Sequence, residues 1–177
     1  MSIDAIKVRL PEYAKDLKLN LSSLLNSPDG MTEQQLWGSL LVAAIASRNA
    51  FVTSSIRDAA AQHLSEPAIN AANAAAAIMG MNNIYYRFTH LTSNKEYSTM
   101  PAKLRMNVLM NPGVDKADFE LWSLVVSAIN GCGMCVDSHE HELQKRGIGK
   151  EVIQTAVRIG AVVHAIAATI DAVEATV

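Results

Sequence analysis

One short segment concentrates the residues able to do chemistry: Asn130-Gly131-Cys132-Gly133-Met134-Cys135-Val136-Asp137-Ser138-His139-Glu140-His141-Glu142. Its two cysteines are the only ones in the chain. Read as a helix at about 100° per residue, Cys135 lies about 60° around the axis from Cys132, with His139 between them at about 20°. The three share one face. Cys135 and His139 stand at i,i+4, the spacing at which helical side chains meet, whereas His141 points the opposite way.

That pattern suits thiol redox chemistry for three reasons. The thiolate is the nucleophile, so something must favour ionisation. Cys132, just past the Asn130-Gly131 break, would feel the unpaired N–H groups of a first helical turn, and Cys135 has an imidazole to take its proton. Second, cysteines three apart on a helix have Cα atoms about 5 Å apart, within disulfide reach. With no other cysteine to pair with, an oxidised protein is expected to hold a Cys132–Cys135 disulfide. Third, a sulfenic acid on one thiol can condense with the other before overoxidation. The residues leave the division of labour open. Helix-start position favours Cys132 as the readily ionised thiol, and the imidazole favours Cys135.

Other readings of the cluster stay open at this level. Free cysteines are among the most buried residue types, so an inert core pair is one alternative. A zinc-binding or redox-sensing module is another, with Cys132, Cys135 and His139 as three ligands and a fourth from elsewhere. Structural zinc draws on two separated segments, and no second Cys/His cluster is present. A c-type haem site is excluded because Val136, not histidine, follows Cys135. His63, near a helix end, and His90, in a polar stretch, read as solvated or capping, and His164, in an apolar helix, as a satisfied core histidine. Glu120, early in a helix, reads as a solvated carboxylate favoured by the helix dipole.

The elements that must position these residues are helices. Ser2 to Leu10 begins a first one, and Pro11 breaks or restarts it. Ser27-Pro28-Asp29-Gly30 is a turn cluster. Thr32 before Glu33-Gln34-Gln35 is a capping-box arrangement opening a helix through about Ser47. Helices are expected over 51–63 and from Ser65-Glu66-Pro67 into the 80s. His90 to Pro101 is irregular and Asn111-Pro112-Gly113 a turn. Helix resumes from Lys116 to Ile129, from Cys132 to Lys145 and, after Gly147-Ile148-Gly149, from Val152 to Val173. No stretch alternates convincingly as a strand. The fold class is all-α.

An internal repeat organises these helices. Ser39–Ile45 matches Ser123–Ile129 at an offset of 84, which also sets Ala72 on Ala156, Ala77 on Ala161 and Ile78 on Val162. The expectation is a single helical domain over 1–177 with half-repeats near 32–90 and 116–177. Chance likeness of two Ala/Val/Leu-rich helices is the alternative. Cys132, Cys135 and His139 correspond to Arg48, Phe51 and Ser55, so the scaffold would occur twice and the chemistry once.

Half of the 177 residues are hydrophobic, enough for a sizeable core. Only 5% are aromatic, which favours close-packed, alanine-rich helices. The net charge of −2 and the absence of a basic stripe argue against nucleic acid or an anionic membrane as partner. Met1-Ser2-Ile3-Asp4-Ala5-Ile6-Lys7 lacks a signal-peptide pattern. The most apolar stretches, around 74–81 and 159–170, fall short of the roughly 18 residues a membrane span needs. A cytoplasmic protein is expected, with its cysteine pair serving redox or metal chemistry.

The combined pattern resembles the alkylhydroperoxidase D proteins of the carboxymuconolactone decarboxylase superfamily. It runs through Glu120-Leu121-Trp122-Ser123, Ser127-Ala128-Ile129-Asn130-Gly131-Cys132, Cys135 and His139-Glu140. Met79-Gly80-Met81-Asn82-Asn83 with Tyr86-Arg87, Leu104-Arg105-Met106-Asn107, Asn111-Pro112-Gly113 and Leu10-Pro11-Glu12-Tyr13-Ala14-Lys15-Asp16 belong to it too. Glutamate, eleven residues, Cys-x-x-Cys, three residues and histidine is a specific spacing. The resemblance implies a helical fold of two related halves, assembled as a homotrimer. It implies an antioxidant peroxidase that reduces alkyl hydroperoxides and regenerates a peroxiredoxin, alkylhydroperoxidase C. Electrons would come from a dihydrolipoyl group on a lipoyl-bearing protein, with no metal or bound cofactor. By motif position Cys135 would become the sulfenic acid, Cys132 would be proton donor and resolving thiol, and Glu120 and His139 would relay protons. A decarboxylase of the same superfamily needs no cysteine pair. Met134 departs from members that carry histidine before the second cysteine, and so removes a polar group beside the thiols.

Overall fold

A computed structural model of the chain describes residues 2–175. Five of the helices begin where a side chain satisfies free N–H groups of the first turn. Ser2 caps α1 (Ile3–Arg9), and Pro11 follows its end before a 3₁₀ turn leads into α2 (Lys15–Asn26). Thr32 and Gln35 form the expected capping box on α3 (Glu33–Ser47). Asn49 caps α4 (Ala50–Ala60), and Ser65 caps the 26-residue α5 (Glu66–Leu91). Beyond α5 the chain is irregular to Asp115 apart from α6 (Glu96–Thr99) and a 3₁₀ turn at Asn107–Leu109. Asp115 then caps α7 (Lys116–Ile129), followed by α8 (Gly133–Lys145) and α9 (Lys150–Glu174). No strand occurs among the described residues, so the protein is all-α as expected.

Two helices are apolar all round and are therefore interior ones. In α3 every residue from Gln35 to Ala44 is buried, and in α7 every residue from Asp118 to Ser127 except Glu120 is buried or nearly so. They pack on each other, with α5 and α9 against both. They approach closely at Gly38, where a Cβ would stand 2.1 Å from the buried indole of Trp122. The Trp122 Nε1–H donates to the Gln35 carbonyl at 3.4 Å. The same interface buries one carboxylate, Asp118, which accepts from Gln34 Nε2 at 2.7 Å and Gln35 Nε2 at 2.9 Å. A buried charge held by two donors keeps its cost low.

Helices α3, α4 and α5 begin 83, 83 and 84 residues before α7, α8 and α9. Two expectations are corrected. The last helix is 25 residues long, and by length and composition α9 could cross a bilayer, where the apolar stretch read as too short. The reason is that the polar side chains of its exposed face interrupt the run without ending the helix. Ile153, Ile159, Val163, Ile166 and Ile170 form one stripe inside the core. His164, read as a core residue, falls on the exposed side of that helix. The register of the buried stripe leaves no room for it inside.

Candidate functional site

The site is built on a sharp exit from α7. The Cys132 N–H donates to the Ser127 carbonyl at 3.1 Å and the Gly131 N–H to the Ala128 carbonyl at 3.2 Å, a Schellman ending. Such an ending needs a left-handed residue, and Gly131, with φ of 68°, supplies it. The chain turns there and Cys132 becomes the N-cap of α8, its carbonyl accepting from Val136 N–H at 2.9 Å. This is the helix-start position expected of it. Cys135 follows in the first turn.

A polar brace behind the turn holds it to α5. Asn83 Nδ2 donates to Ser127 Oγ at 2.9 Å, and Asn130 Nδ2 donates to Asn83 Oδ1 at 3.0 Å. Arg87 Nη1 donates to the Asn130 carbonyl at 2.5 Å. Asn83 and Ser127 are fully buried, so both carboxamide ends of Asn83 are used where no solvent could replace their partners.

The two sulfurs are joined as the spacing predicts: Cys132 and Cys135 form a disulfide with Cα atoms 5.3 Å apart. Cys132 is fully buried and Cys135 is 7% exposed, so the pair is approached from the Cys135 side. One turn on, His139 Nδ1 lies 2.6 Å from Glu120 Oε2, and both side chains are 14% exposed. Glu120 is thus not the solvated carboxylate its helix position alone suggested. α8 folds back along α7 and covers it. A carboxylate on Nδ1 draws the imidazole proton to that nitrogen, which turns the lone pair of a neutral ring to Nε2. Nε2 faces Met79 Sδ at 3.3 Å.

These residues open on a cavity of about 380 Å³. Cys135, His139, Ser138 and Asn82 form its polar side. Met79, Tyr86, Met106, Leu109 and Met134 form its apolar side. Met134 therefore sits in the cavity wall, where a histidine would make that wall polar. The sequence pattern included Met79, Asn82, Asn83 and Arg87 but assigned none of them a role. Their signal was present, since 79, 82, 83 and 86 fall on one stripe of α5, but nothing in the chain says that this stripe faces α7 and α8.

Among the described residues no three His, Cys, Asp or Glu side chains converge as a metal-ligand set. His141 is exposed and points away. His63 is not simply solvated: its Nδ1 lies 2.6 Å from Glu33 Oε1 and its ring stacks on Trp37 at 4.2 Å, remote in sequence and element from the cysteines.

Residues 95–177, which contain the whole Glu120–His139 segment, match the Carboxymuconolactone decarboxylase family. A protein of Maricaulis maris named alkyl hydroperoxide reductase AhpD is 61% identical over 172 residues, covering 97% of this chain and 99% of that one. Proteins of the same name are similar in Azorhizobium caulinodans, at 57% identity over 97% of this chain and 94% of that one, and in Gluconacetobacter diazotrophicus, at 60% over 97% and 93%. With near-complete coverage at such identity, the chain belongs to the alkyl hydroperoxide reductase AhpD family.

Proposed function

We propose that the protein is a cytoplasmic antioxidant enzyme, a thiol-dependent alkyl hydroperoxide reductase. The observation that carries this is a Cys132–Cys135 pair whose Cys135 lines a largely apolar cavity, with the Glu120–His139 pair beside it. In the reduced form the Cys135 thiol loses its proton towards His139, whose imidazolium is stabilised by Glu120. The Cys135 thiolate attacks the terminal oxygen of ROOH. An S–O bond forms, the O–O bond breaks, and the alkoxide leaves with the electron pair and takes a proton to become ROH. Cys132 then attacks the sulfenic sulfur, releasing water and closing the disulfide. The pair has given up two electrons.

The disulfide must next be reduced by an external dithiol. The proposed donor is a dihydrolipoyl group on a lipoyl-bearing protein, and the proposed second task is regeneration of the peroxiredoxin AhpC. A homotrimer is the proposed assembly. The direct test is turnover of an alkyl hydroperoxide with dihydrolipoamide as reductant, beside monothiols. Sustained turnover with the dithiol is expected, because intramolecular ring closure expels the second protein thiolate. No peroxide consumption by the reduced protein would overturn the reading.

A further inference from the structure

Asn82 and Asn83 are adjacent on α5 and both buried, yet they are treated differently. Asn83 has its oxygen and nitrogen in the brace behind Cys132. Asn82, 5% exposed, lines the cavity with Cys135 and His139, and its Oδ1 has no hydrogen-bond partner. An interior amide oxygen without a donor is costly and rare. That oxygen is covered as it stands, so an occupant of the cavity meets it only when the carboxamide turns. A turn about the broad terminal torsion of asparagine exchanges its oxygen and nitrogen, so either can be presented. The thioethers of Met79 and Met134 on the same wall are at best weak acceptors.

We propose that Asn82 is the residue that reads the hydroperoxide group: its carboxamide oxygen accepts the O–H of ROOH and holds the terminal oxygen towards Cys135. The inference rests on the peroxidase reading above. In ROOH the one donor proton is on the terminal oxygen, the atom the thiolate must attack. Accepting that proton orients the molecule with its alkyl group against Met79, Met134 and Leu109 and the leaving oxygen turned away from the nucleophile. The same acceptor has nothing to offer a thiol reagent that lacks an O–H.

The test is Asn82→Leu, similar in size and without polar atoms, in the full chain after reduction and desalting. Three quantities are compared with wild type: the second-order rate constant for thiol loss with cumene hydroperoxide, that with methyl methanethiosulfonate, and the thermal midpoint. A peroxide rate lower by about three- to tenfold is expected, the loss typical of one hydrogen bond. The thiosulfonate rate should stay within about twofold and the midpoint should hold or rise, since an unsatisfied polar group has been removed. An unchanged peroxide rate overturns the role of Asn82. A fall of both rates by the same factor, with a lower midpoint, also overturns it and makes Asn82 structural. A wild-type chain inert to peroxide fails the enzyme reading itself and takes the inference with it. Should Asn82→Leu not fold, Asn82→Ala is judged by the same ratio of the two rates.

Discussion

At the residue scale the site separates exposure from ionisation. Cys132 holds the helix-start position but is fully buried, whereas Cys135 meets the cavity and stands one turn before His139. In the proposed reaction a peroxide in the cavity would meet Cys135, and the buried Cys132 would resolve. Cys135→Ser should abolish peroxide consumption. Cys132→Ser should react once and leave a sulfenic acid on Cys135, detected as a dimedone adduct by mass spectrometry. Label on Cys132 in Cys135→Ser, with none on Cys135 in Cys132→Ser, reverses the roles. Glu120→Gln and His139→Asn keep both sulfurs but remove the proposed base and its anchor. Peroxide reduction should slow by roughly 10²–10⁴-fold for the histidine, the usual span of a general base. Its sign with pH is determined: as pH rises thiols ionise unaided, so the deficit narrows on the alkaline side. Stopped-flow rates across pH measure it, and a deficit constant with pH would remove His139 from proton transfer.

At the element scale two contacts set the helix geometry on which the site depends. Gly38 lets α3 and α7 approach until the Trp122 ring occupies the space of a side chain. Gly38→Ala forces the ring or a helix to move, an overpacking cost of about 1–3 kcal/mol. A lower urea midpoint with unchanged slope is the expected result, and wild-type stability would show that α7 is free to shift. The turn before α3 is tied to α9 by Asp29, which accepts from Arg158 Nη2 and, at 3.1 Å, from Thr155 Oγ1. The hydrogen bond from Arg158, then that from Thr155, lowers the Asp29 carboxyl from its ordinary value of 3.8. A folded-state value below the unfolded one means stability that is present above pH 3.8 and lost as pH falls through the folded value. Asp29→Asn keeps the left-handed backbone that asparagine tolerates. It should therefore be slightly less stable than wild type at pH 7 by urea titration, with the difference shrinking as pH falls below 3.8. A difference that persists in acid would assign the effect to something other than charge. The pair is solvent-exposed, so the effect is small.

At the scale of the molecule, the far end of α5 leaves Ile84 61%, Phe88 49% and Leu91 73% exposed along one side. Side chains at i, i+4 and i+7 form a continuous apolar strip, which a monomer gains by covering. The proposed trimer gives a closed assembly with such a strip inside it. Multi-angle light scattering at micromolar concentration should return three times the chain mass of 19.1 kDa, and a monomer there would contradict it.

The order of helices was legible in the sequence because caps and turns are local. Thr32 with Gln35, Ser65 before Pro67, and Asn130-Gly131 each act within a few residues: α3 and α5 begin at the first two, and α7 ends and α8 begins at the third. The disulfide was legible for the same reason, since both sulfurs belong to one helical turn and its cap. Pairings between helices were not. Glu120 reaches His139 only because α8 folds back on α7, and Met79, Asn82 and Arg87 join the site only because one stripe of α5 packs there. His164 shows the converse, an apolar-looking neighbourhood that the packing register turns outward. Local hydrogen bonding determines where helices start and stop. Which face each one buries is a property of all the helices together, and in this protein that choice assembles everything around the two sulfurs.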